Sequence, residues 1–351
     1  MEVGALVGSD HYMKISLTFV FLLVVHCVCG AQPQPSLSEI DRIRMSEAYR
    51  LGDALGDRVW KNWSNAPFAV LLVTPEYEFL VRHPKPSSDF TSIGYDSLLK
   101  SNVYYRKRTT QLSFLATYPA VGGVSTIVAG QAENTQAKTS TPWVVTLLHE
   151  HFHQLQDSQP NWYQEVNALN LSRGDQTGMW MLNYAFPYET PAVDSQFIAL
   201  TRSLARAVQA KSKSEFAMEL KTYLASRQEL QQMLSRDDYN YFSFQLWKEG
   251  IARYTEYRIA HEAMKRYTPS KTFRDLKDFK SFAEVAESIR ARILNQLSTL
   301  KLEEYKRVAF YPIGAAEGLL LDRANPKWQK RYFTEKFYLE KYFSFSPGFT
   351  G

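Results

Sequence analysis

The sequence predicts an α+β fold in which a small, mostly antiparallel sheet precedes a largely helical part. Three observations predict it. Between residues 68 and 128 the apolar segments are short, rich in β-branched and aromatic residues, and separated by Pro, Gly and Ser. Beyond residue 194 apolar residues recur at helical spacing over long segments. Between the two regions, Trp143 to Gln156 reads WVVTLLHEHFHQLQ, an apolar run that passes without a breaker into imidazoles and a carboxylate. One buried helix therefore separates sheet from helices, and a cleft between the two sides would run along it.

The 351 residues divide into a leader at 1–30, an N-terminal helix and sheet subdomain at 31–140, and a helical subdomain at 141–351. Met13-Lys14, the apolar run Ile15 to Val25 and the small residues Cys29, Gly30 and Ala31 have the pattern of a secretory signal peptide cut near Gly30 or Ala31. Glu2 and Asp10 suit a charged leader poorly, so translation starts at Met1 or at Met13. The apolar run falls short of the ~20 residues of a membrane span, and no stable membrane insertion is expected after cleavage. Both cysteines, Cys27 and Cys29, lie in the leader, so the processed chain has no disulfide and no thiolate ligand. A secreted or periplasmic protein is expected.

In the second region, Ser36 to Trp60 carry helical spacing. Strands follow at residues 68–73, 78–81, 103–105, 112–117 and 125–128, with Gly122-Gly123 as the turn before the last. In the third region Thr141 is suited to cap the central helix and Pro142 to its first position. A loop-rich interval runs from Ser158 to Pro191, and helices are expected at 194–210, 215–234, 241–267, 281–300 and 309–321. Hydrophobic content of 45% and charged content of 22% belong to a folded protein. A net charge of +5, with scattered lysines and arginines, speaks against a nucleic-acid partner; Tyr104-Tyr105-Arg106-Lys107-Arg108 reads as one solvated strand face.

His149-Glu150-His151-Phe152-His153 places H-E-x-x-H on the central helix. Residues four apart share a helical face, so His149 and His153 can direct two imidazoles at one ion, while Glu150, about 100° round the helix, can reach a water held there. His151 falls on another face and is expected to pack. The chemistry is that of one Zn2+ per chain, and a third ligand is required. Gln156 and Gln159 replace the glycine and histidine of the longer H-E-x-x-H-x-x-G-x-x-H motif, and His83 and His261 are expected to be ordinary surface or packing histidines. The third ligand expected is Glu249 of Trp247-Lys248-Glu249-Gly250-Ile251-Ala252-Arg253-Tyr254-Thr255-Glu256, where the small residues Gly250 and Ala252 would let this helix approach the metal helix closely. Glu256, seven residues on, would accept a hydrogen bond from a ligand imidazole.

These two stretches, HEHFH and EGIARYTE, resemble the gluzincin clan of zinc metallopeptidases, whose aminopeptidase N-like members carry E-G-x-A-x-Y-x-E after H-E-x-x-H. The resemblance spans about Val124 to Arg258. It implies a zincin-like fold, His149, His153 and Glu249 as zinc ligands, and Glu150 as general base. The spacing from His153 to Glu249 is much longer than in those enzymes, as a helical insertion at 194–234 would explain, and Gly123-Val124-Ser125-Thr126 stands where aminopeptidases carry G-x-M-E-N. Asp157, Glu165 and Asp175 stay open as alternative third ligands. Tyr254 and Tyr311 are the candidates to stabilise an oxyanion. The expectation is a zinc-dependent hydrolase cleaving a peptide or protein substrate, with a catalytically inactive zincin-like fold acting as a periplasmic or extracellular binding module as the alternative.

Overall fold

The computed structural model describes residues 34–345, which leaves the expected leader outside the described residues. From Pro35 on, they form one compact α+β unit. Helix α1 (Glu39–Val59) begins at Ser38, whose hydroxyl accepts the Asp41 amide hydrogen. It leads into strands β1 (Val70–Val73), β2 (Tyr77–Val81), β3 (Thr91–Asp96), β4 (Ser101–Lys107), β5 (Leu115–Val121) and β6 (Val124–Gly130). Then come α2 (Ser140–Asp157), the short α3 (Trp162–Ala168) and α4 (Trp180–Asn183), α5 (Pro191–Gln209), α6 (Lys213–Met233) and α7 (Arg236–Gln245). A π-helical turn at Leu246–Gly250 joins α7 to α8 (Ile251–Arg266), followed by α9 (Lys271–Arg274), α10 (Phe282–Thr299), α11 (Leu302–Tyr305) and α12 (Phe310–Ala324).

The six-stranded sheet has the order β3-β4-β2-β1-β6-β5. All neighbours pair antiparallel except β1 and β6, which run parallel with Val70 opposite Ile127. Central β1 is buried on both faces, hence its unbroken Val-Leu-Leu-Val. Val70 and Leu72 face the main core with Phe79, Ile127 and Ala129, while Leu71 and Val73 join Leu80 and Val128 on the other face, under Leu112 and Phe114.

Both edge strands differ from expectation. Edge strand β3 is polar and mostly exposed, with a register shift between Ser92 and Gly94, so it carries no apolar alternation. Edge strand β5 starts at Leu115, three residues later than expected, because Leu112 and Phe114 fold over the sheet. Pro119 is tolerated at this edge, where no ladder donor is required on the open side. Gly122 and Gly123, at φ of +55° and +75°, make the expected turn into β6.

Helix α2 starts earlier than Thr141. Ser140 is its first residue, and the amide and hydroxyl of Ser140 both donate to Asp278, at 2.8 and 2.7 Å. The cap is thus supplied from the distant α9–α10 connection, and Thr141 instead exchanges hydrogen bonds with the backbone of Lys280. Trp143 Nε1 donates to Gly130 O, and Gln154 Nε2 to Ala69 O and Ser125 O, which ties α2 along the sheet. On its other side α2 packs against α8: Trp60, at the end of α1, lies against Phe152 and donates to Thr255 Oγ1.

Candidate metal centre

Five consecutive residues of α2 part according to helical face. His149 and His153 bring their Nε2 atoms to 3.2 Å of each other, and Glu249 Oε2 lies 3.5 Å from His153 Nε2. Two ligands on zinc at bond lengths of about 2.05 Å and tetrahedral angles sit about 3.3 Å apart, so these separations suit one ion. The three ligand atoms all lie within 4.8 Å of one another, and both histidines are buried. This buried His149, His153 and Glu249 group could hold a metal ion.

The two ligands also act on each other's charge. Burial opposes a charge on His153, but Glu249 outweighs it and raises the imidazole's pKa, while burial of Glu249 is outweighed by His153, which holds that carboxyl well below its ordinary range.

Both imidazoles are oriented from behind. His149 Nδ1 lies 2.8 Å from Glu256 Oε1, and His153 Nδ1 lies 2.7 Å from Gln156 Oε1. Gln156 spends its amide hydrogens on Trp247 O, Lys248 O and the Tyr332 hydroxyl, so its oxygen can only accept, and His153 carries its proton on Nδ1. Each Nε2 lone pair is thereby directed at the shared space. Burial would raise the Glu256 carboxyl, yet Arg253, the His149 hydrogen bond and Arg292 outweigh it and bring the pKa down to about 2. Glu256 therefore stays ionised beside the imidazole.

Glu249 belongs to the π turn at Leu246–Gly250 rather than to the continuous helix expected over 241–267. An extra residue in the turn rotates the side chains before it relative to those after it, and such turns recur at functional sites. The small residues beside Glu249 serve a different contact from the one expected. A Cβ on Gly250 would meet Gly314 Cα at 2.5 Å, so Gly250 packs on α12 and not on the metal helix.

Glu150 is buried, and its Oε2 accepts from the Thr117 hydroxyl of β5 at 2.7 Å. The same hydroxyl lies 3.0 Å from the Glu150 carbonyl oxygen. The negative charge of Glu150 reaches His153. Tyr311 has its hydroxyl 2.6 Å from Arg307 Nη1 and within hydrogen-bond reach of Glu249. Burial and the charge of Glu249 push its pKa far up, so it is a neutral donor. Tyr254 is not brought to the cluster: its hydroxyl donates to Asp322 at 2.8 Å, and its ring packs against Trp60 and Trp328.

The alternative ligands are engaged elsewhere. Asp157 accepts from Ser125 at 2.8 Å, Glu165 pairs with Lys336 at 2.6 Å, and Asp175 accepts from Thr177 and the Trp180 amide. His151 packs as expected, its ring 3.9 Å from that of Phe68 and Nδ1 held by Gln154. His83 bonds the backbone at Val121 and Lys85, and His261 stacks on Tyr257. Gln156, Thr117, Arg253 and Arg292 were not anticipated. Gln156 had a local signal, since His151-x-x-Gln154 and His153-x-x-Gln156 repeat one i, i+3 pairing; the others reach the site only through tertiary structure.

No family model, curated protein or solved structure matches this chain.

Proposed function

We propose that this chain is a zincin-like, zinc-dependent hydrolase, a metallopeptidase acting on peptide or protein substrates, with one zinc held by His149, His153 and Glu249. The observation that supports it is Glu150: a buried carboxylate adjoining the ligand cluster, in no ion pair among the described residues, and held through one oxygen only. A stability role would leave such a carboxylate costly and unexplained. A binding module has no use for it.

Zinc in such a site supplies a Lewis acid that polarises a carbonyl and acidifies water. The chain's own residues supply the rest. Thr117 fixes Glu150 through Oε2, leaving Oε1 to take a proton from the attacking water and return it to the leaving amine. Glu256 and Gln156 keep the imidazoles in one tautomer. Tyr311, a neutral donor beside Glu249, would meet charge developing on the substrate oxygen. Export to the periplasm or medium belongs to the same proposal and rests on the sequence of residues 1–30.

Elemental mass spectrometry and a screen of peptide substrates with and without chelator test this reading. One zinc per chain and chelator-sensitive cleavage are expected, with Glu150→Ala keeping its zinc and losing roughly 10²–10⁴-fold in kcat. Wild-type turnover in Glu150→Ala would overturn the mechanism.

A further inference from the structure

The cations around the metal centre are partnered with one exception. Arg253 and Arg292 lie 3.3 and 3.0 Å from Glu256, and Lys248 lies 3.8 Å from Asp157. Arg307, in the 3-10 turn Lys306–Ala309 ahead of α12, is half-buried and forms no ion pair with a carboxylate among the described residues. Its one hydrogen bond to a side chain is from Nη1 to the Tyr311 hydroxyl at 2.6 Å, which leaves most of its five N–H groups available. The guanidinium stands 5.7 Å from the Tyr311 ring centroid, and the charge of Arg307 is felt at Tyr188, Tyr241 and Glu249. Glu249 is the ligand carboxylate, so it is not free to neutralise Arg307 when an ion is bound. A half-buried guanidinium among phenols, one hydroxyl from the metal ligands, matches a planar anion in charge and in fork geometry.

We propose that Arg307 anchors a carboxylate of the substrate beside the scissile bond, making this a site for peptides that present a carboxylate there. The inference rests on the hydrolase reading above. The carboxylate is either the C-terminus of the peptide or an acidic side chain, and both offer the same bidentate acceptor.

Equilibrium binding to the zinc-loaded full chain tests it without turnover, using three peptide hydroxamates of equal length. One ends in a free carboxylate, one in a carboxamide, and one in a carboxamide with an internal glutamate. At least one carboxylate probe should bind roughly 10- to 100-fold more tightly than the neutral probe, as charge-assisted hydrogen bonds allow. Preference for the first indicates the C-terminus, and preference for the third the side chain. Arg307→Gln should erase the preference, while Arg307→Lys keeps part of it. Equal wild-type affinity for all three, or an undiminished preference in Arg307→Gln, overturns the proposal and leaves the hydrolase reading standing. Failure of the zinc-loaded protein to bind any hydroxamate overturns both.

Discussion

Gly314 and Gly250 meet backbone to backbone: a Cβ built on Gly314 would fall 2.5 Å from Leu246 O and 2.7 Å from Gly250 Cα. Both neighbours are main-chain atoms of the π turn that carries Glu249, so α12 cannot yield by a side-chain rotation. Gly314→Ala must separate α12 from that turn and shift Glu249 with it. The expected result is a loss of about 1–3 kcal/mol, the usual cost of overpacking, seen as a lower urea midpoint. Metal affinity should fall at least tenfold in a chelator competition. Ala at Gly123, which has open space around it, should spare metal affinity whatever it costs the turn.

The residues behind the imidazoles give a second prediction. Glu256→Leu and Gln156→Leu each leave the ligand set intact but release one imidazole from its partner. Metal affinity should fall about 10- to 100-fold in either variant, measured by chelator competition. Glu256→Leu also strips Arg253 and Arg292 of their shared carboxylate, so its thermal midpoint should drop further than that of Gln156→Leu.

How much of this centre could be read from sequence follows from distance along the chain. His149, Glu150 and His153 are legible because an α-helix fixes the directions of residues four apart, and the folded α2 obeys that geometry. Glu249 and Glu256 were legible as a pair at seven-residue spacing, although the π turn that aims Glu249 was not, since nothing local distinguishes it from continuous helix. Thr117 could not be found from sequence: a threonine on an edge strand has no distinguishing pattern until the strand lies along α2. Tyr254 shows the converse, a tyrosine inside a suggestive motif whose hydroxyl is taken by Asp322 on α12. In the fold, central strands were legible through burial, whereas edge strand β3 is held by backbone pairing that side chains do not announce.

His151 supplies a pH dependence. Buried between Phe68 and Trp63, it has its pKa lowered to about 3, chiefly by burial against a smaller opposing contribution from Gln154. The folded protein thus holds it neutral where the unfolded chain would protonate it, near pH 6.5. The stability it contributes is complete above pH 6.5 and lost as the pH falls from there toward 3, on the order of 5 kcal/mol in all. His151→Phe should flatten this acid limb in urea melts run with chelator present, so that metal release does not contribute. An unchanged slope between pH 6 and 4 would show that His151 is not the group responsible.

Arg227 of α6 is buried 2.9 Å from Glu317 of α12 and 2.7 Å from Glu340, with Tyr223 donating to Glu317 as well. Burial of Glu317 outweighs the help of Arg227 and Tyr223 and raises its pKa to about 7. A carboxyl whose folded pKa is raised contributes stability that is complete below its unfolded value, near 4.5, and lost as the pH rises through about 7. Arg227→Met leaves the buried Glu317 and the half-buried Glu340 without their cation and should cost about 3–5 kcal/mol at pH 8. At pH 5.5 Glu317 takes up a proton, so the cost should be smaller there. Adding Glu317→Gln removes the uncompensated charge and should recover much of the loss at pH 8 but little at pH 5.5. A penalty independent of pH, with no recovery in the double variant, would mean that Arg227 stabilises this corner by packing over Phe242 and Tyr239 and not by its charge.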